Sequence, residues 1–192
     1  MKQLLIKILL LFFVLPSLAL AHTGVGEASG FLHGLSHPMS GIDHLLAMLA
    51  VGLWAAQIGG YALWAVPCTF VGVMVMGGIF GFFSIPVPFI EEGILVSVLV
   101  LGVLIAGAFR FSLHYSALII SLFAIFHGYA HGAEIPPTIN AVLYTVGFVL
   151  ATAMLHVTGI GFGIFMQKTN LHKATRFTGG VIALTGIYLA IS

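Results

Sequence analysis

His37-Pro38-Met39-Ser40-Gly41-Ile42-Asp43-His44 leads directly into Leu45-Leu46-Ala47-Met48-Leu49-Ala50-Val51-Gly52-Leu53-Trp54-Ala55-Ala56. The second part is a continuous apolar run, and with its flanks it is long enough to be a membrane helix. Its mouth nevertheless carries two histidines, a carboxylate, a proline and a glycine. A charged side chain near the bilayer centre costs about 2.5–3.5 kcal/mol even on the lenient insertion scale, so ionisable groups inside a span mark a functional site. A second stretch, Phe126-His127-Gly128-Tyr129-Ala130-His131-Gly132-Ala133-Glu134, shows the same anomaly at the end of another apolar run.

The composition puts both runs in lipid. The chain has 192 residues, 60% of them hydrophobic and 6% charged, with a mean hydropathy of +1.19. Soluble domains carry about 25% charged residues; this chain cannot cover a water-facing surface and reads as an integral membrane protein. The apolar segments are long rather than alternating, which indicates helices and not a barrel. A net charge of +1 gives no basis for binding nucleic acid. The single cysteine, Cys68, has no intramolecular partner and is expected as a small buried hydrophobe.

Residues 1–21 have the layout of a cleavable signal peptide: Lys2 and Lys7, an apolar centre from Ile8 to Val14, and the ending Ala19-Leu20-Ala21. Residues 22–192 then form one domain, an all-α bundle of six transmembrane helices. The spans fall near residues 34–57, 61–83, 90–109, 113–133, 139–165 and 175–191. With the mature N-terminus outside, Arg110, Lys168, Lys173 and Arg176 lie on the inner side. Glu27, Glu91, Glu92 and Glu134 lie on the outer side. Positive residues gather at cytoplasmic loops, so the leader and the loops give the same orientation. Trp54, Tyr61 and Trp64 are expected in an interfacial belt at the first inner turn. Gly77-x-x-x-Gly81 and Gly159-x-x-x-Gly163 are helix-packing motifs.

That orientation puts His33, His37, Asp43 and His44 of the first span and His127, His131 and Glu134 of the fourth at similar depth. At about 100° per residue, His127, His131 and Glu134 share one helix face within roughly 60°. Gly128 and Gly132 allow a neighbouring helix to come close. Pro38 and Gly41 interrupt the first span, and freed backbone carbonyls at such breaks join substrate sites in transporters. The donors are imidazole and carboxylate without thiolate, which suits zinc, copper, iron or nickel and disfavours calcium and magnesium. Asp43 is either a ligand or the acceptor that fixes an imidazole tautomer. The two stretches read as a site for a divalent metal ion crossing the membrane. His22, His114 and His172 read as interfacial groups, and His156, midway along the fifth span, as a ligand, a gate or a core group. Glu91 and Glu92 either favour their helix N-terminus or attract cations. Met74, Met76 and Met154 read as packing.

His37-Pro38-x-x-Gly41-x-Asp43-His44, followed by Phe126-His127-Gly128-x-Ala130-His131-Gly132-x-Glu134, resembles the HupE/UreJ family of bacterial nickel/cobalt permeases. The likeness extends to the leader, the six spans and the length. It implies import of nickel(2+) or cobalt(2+) through the inner membrane, with the metal as cargo and no prosthetic group. It also implies a link to nickel hydrogenase, urease or cobalamin synthesis, and metal-handling roles for His37, Asp43, His44, His127, His131 and Glu134. The chain lacks a G-x-x-x-x-G-K-[ST] phosphate loop and a His-Glu-x-x-His signature, and the reading is not an enzyme. Two rivals remain from the residues alone: an intramembrane zinc-dependent hydrolase and a sensor that binds metal without flux.

Overall fold

The computed structural model describes residues 27–191, and the leader read in residues 1–21 lies outside them. Seven α-helices fill the described residues: α1 Glu27–Ser36, α2 Ile42–Ile58, α3 Ala62–Phe82, α4 Ile90–Ala106, α5 Leu113–Ala133, α6 Ala141–Lys168 and α7 His172–Ile191. A 3-10 turn, His37–Met39, joins α1 to α2. Among the described residues there is no strand.

Helices α3, α5, α6 and α7 are each long and apolar enough to cross a membrane. The expected first span is broken. Gly30–Met39 and Ile42–Ile58 are bent by 80° and make a fifth crossing if taken together. Pro38 sits in the 3-10 turn, and Gly41 is extended (φ −102°, ψ 128°) where α2 begins. Helix α4 has 17 residues, about 25 Å of helix against a hydrocarbon core of about 30 Å.

The connections are tight. Gly59 and Gly60, both at positive φ, turn α2 into α3; an L side chain is strained there. Asn140 caps α6 by accepting the Leu143 N–H at 3.0 Å, satisfying one of the orphan donors of a helix start.

The main helix pairs are α3 with α5, α4 with α7, and α6 with both α1 and α2. Glycines let backbones touch at these seams. A Cβ on Gly128 would strike the Met74 carbonyl, one on Gly132 the Gly78 carbonyl, and one on Gly159 the Leu49 carbonyl. Residue order along the seams makes α3 parallel to α5 and α2 parallel to α6, with α4 and α7 antiparallel. Glu91, Glu92 and Glu134 therefore lie at the end where α2 and α6 begin, and Arg110, Lys168 and Arg176 at the opposite end.

Three expectations need correcting. Trp54 is fully buried and donates its indole N–H to the Phe109 carbonyl at 3.0 Å, tying α2 to the loop after α4; only Tyr61 and Trp64 of the expected belt are exposed. Cys68 is exposed on the outside of α3 and not buried. Met76 and Met154 also face outward, while Met74 is in the core. The cause is common to all three. Lipid is as apolar as a helix interface, so hydrophobicity within a span does not report which side faces in.

Candidate metal site

The break after α1 sets the first half of the site. The His37 carbonyl, left without a helical partner, accepts both the backbone N–H and the hydroxyl of Ser40, at 3.0 and 2.6 Å. It is thus satisfied locally instead of free to join a coordination shell. Gly41 leaves room beside the next pair, since a Cβ there would meet Asp43 Oδ1 and His44 Nδ1. Asp43, in the first turn of α2, accepts the His44 backbone N–H at 2.7 Å and lies 3.0 Å from His44 Nδ1. An ionised carboxylate only accepts, so His44 Nδ1 carries the proton. His44 Nε2 is left as a bare lone pair, buried and without a hydrogen-bond partner.

Helix α5 supplies the second half. His127 and His131 are buried, and Glu134 caps the helix just beyond them. Ser97 of α4, fully buried, fixes the His127 tautomer. Its Oγ lies 2.6 Å from the Ile94 carbonyl and 2.8 Å from His127 Nε2. A carbonyl cannot donate, so the serine proton goes to Ile94 and His127 Nε2–H donates to Ser97. His127 Nδ1 is then the bare nitrogen, and it too is buried without a partner.

The two halves meet. His37 Nε2 donates to Glu134 Oε2 at 2.9 Å, and His131 Nδ1 lies 3.6 Å from the same oxygen. One ligand atom from each of His37, His131 and Glu134 fits within 4.8 Å of the others. Ring centroids then step inward by 4.8 Å from His37 to His131, 4.2 Å to His44 and 4.6 Å to His127. Phe148 of α6 walls the column 4.2 Å from His131, and Tyr144 lies 5.6 Å from His37. The imidazoles of His131 and His37 hold the Glu134 carboxyl well below the usual carboxylate range, against the opposing effect of its partial burial.

All six sequence-derived residues therefore lie in one column, with Asp43 touching His44 alone among the imidazoles. His131 Nε2 is buried without a hydrogen-bond partner, like His44 Nε2 and His127 Nδ1, while His131 Nδ1 faces the Glu134 carboxylate. Each orphaned group costs about 1–3 kcal/mol. A set of such nitrogens, with a carboxylate at its mouth, is suited to first-row divalent cations. His33 is exposed and stacks on His37 at 5.9 Å. Glu91 and Glu92 are exposed in the first turn of α4, and His114 and His172 are exposed elsewhere. His22 lies outside the described residues. Ser97 was not legible in the sequence, because a lone serine in an apolar helix usually bonds to its own backbone.

A family model described as HupE / UreJ protein matches residues 9–189. Protein HupE of Rhizobium leguminosarum bv. viciae is 44% identical over 177 residues, covering 92% of this chain and 92% of that protein. No solved structure matches the chain.

Proposed function

Because the chain belongs to the HupE/UreJ family, we propose that it is a permease carrying nickel or cobalt ions inward across the bacterial inner membrane. The mature N-terminus is periplasmic and six segments cross the bilayer, the bent pair counting as one. The observation that carries this reading is the cluster of His37, His131 and Glu134, with one ligand atom of each within 4.8 Å of the others, continued inward by His44 Nε2 and His127 Nδ1, which are buried without a hydrogen-bond partner. Ligand exchange along such a column lets a cation trade water for nitrogen at small cost per step.

In this mechanism Glu91 and Glu92 raise the cation concentration at the mouth. The ion sheds water onto His37, His131 and Glu134, then passes to His44 Nε2 and His127 Nδ1. Asp43 and Ser97 act through these two rings by holding their protons on the far nitrogens. Binding is loose enough to allow release. The membrane potential supplies the drive, about 4.6 kcal/mol per 100 mV for a doubly charged ion, twice the single-charge figure. The absence of a phosphate loop in the sequence fits a transporter that does not consume ATP itself.

Uptake into sealed proteoliposomes tests the proposal, with nickel, cobalt, zinc and copper in competition under an imposed potential. Expected is saturable entry of nickel or cobalt, lost in His37→Ala and His131→Ala. Tight stoichiometric zinc with turnover of a lipid or peptide substrate would overturn it in favour of the hydrolase, and metal binding without flux in favour of the sensor.

A further inference from the structure

One imidazole stands apart from the column. His156 of α6 is 1% exposed, and both of its ring nitrogens are buried without a partner. Buried polar side chains in proteins almost always find a partner, so this one needs a reason. Its ring meets the Phe70 ring edge-on at 5.2 Å, and the same Phe70 lies 5.8 Å from His127. Phe70 thus touches both His156 and the last imidazole of the column.

The depth follows from the seams. Gly128 rests on the Met74 backbone, which puts Met74 level with His127; Phe70 is one turn further from the mouth on α3. Gly52 of α2 rests on the His156 backbone, about 12 Å beyond His44 along that helix. On the mouth side of His156, Thr152 hydroxyl and Met74 sulfur approach to 3.9 Å, and both residues are buried. A sulfur and an oxygen donor therefore precede the His156 nitrogens on the mouth side, with no carboxylate among them.

We propose that His156, with Thr152 and Met74 on its mouth side, is a second, deeper binding station for the divalent cation, reached from His127 past the Phe70 ring. This rests on the transport reading above. The outer column has a carboxylate to capture the ion; the inner station has only neutral donors, so it holds the ion more weakly and favours onward release. Borderline cations such as nickel(2+) and cobalt(2+) accept this mixture, whereas calcium and magnesium do not.

The test uses the full chain with nickel(2+) as probe, measuring binding in detergent, flux in proteoliposomes and thermal melting for wild type, His156→Leu and His156→Gln. His156→Leu removes an orphaned polar group without opening a large cavity. Its melting temperature should equal or exceed that of wild type, and its nickel affinity should stay within about twofold. Its flux should fall at least about tenfold. His156→Gln, which keeps a donor, should recover part of the flux. Wild-type flux in His156→Leu overturns the inner station and leaves the transport reading standing. Parallel loss of stability and flux in both variants assigns His156 to folding and also overturns it. A wild-type protein that passes no nickel overturns the transport reading itself, and the station with it.

Discussion

Replacing Asp43 separates a carboxylate that acts through His44 from one that binds metal directly. Asp43 Oδ1 takes two N–H groups of His44, the backbone at 2.7 Å and Nδ1 at 3.0 Å. A hydrogen bond to a charged group contributes about 1.5–3 kcal/mol. Loss of a group orienting a metal-ligating histidine costs about 10–100-fold in affinity, or about 1.4–2.7 kcal/mol. The two ranges overlap, so Asp43→Ala should weaken nickel binding by about 10–100-fold. Asp43→Asn keeps an amide oxygen where Oδ1 stands, so His44 retains its tautomer and the loss should be about tenfold or less. Calorimetric titration of the purified chain in detergent measures both. Equal losses in Asn and Ala would refute the reasoning, because they would mean that carboxylate charge coordinates the ion; unchanged affinity in Ala would remove Asp43 from the site altogether.

Ser97→Ala deletes the acceptor for His127 Nε2–H and frees the ring to change tautomer; nickel affinity should fall by about tenfold, with Ser97→Thr recovering most of it in the same titration. Gly102→Val forces a side chain into the Ala183 backbone across the α4–α7 seam, and overpacking of this kind costs about 1–3 kcal/mol, read as a lower melting temperature with nickel affinity preserved. The Glu134 carboxyl is lowered in the folded protein from its ordinary 4.5 to about 2 by its imidazole neighbours. Its contribution to stability is therefore complete above 4.5 and is lost as pH falls from 4.5 toward 2. In melting curves, Glu134→Gln should lie below wild type near neutral pH, and the gap should close through that acid window.

Much of the site could be read from residue spacing. His127, His131 and Glu134 recur on one helix face by arithmetic alone, and Pro38 with Gly41 announced the break that turns His37 toward them. Pairing between the two stretches followed from depth, since charge placed both at one end. What the sequence could not carry was the partner chemistry. Ser97 belongs to a helix remote in sequence, and its role depends on a proton donated to Ile94. Trp54 and Cys68 were misassigned for a different reason: in lipid both faces of a helix are apolar, so periodicity loses the contrast that exposes a core face in water.

The glycine seams divide the bundle into three blocks of helices in close backbone approach: α3 with α5, α4 with α7, and α6 with α1 and α2. Each block sends something to the cation path. His37 and His44 come from the third, His127 and His131 from the first, and Ser97 from the second. The donor nitrogens sit where these blocks meet. A small rotation of one block against another would alter the number of nitrogens within reach of an ion.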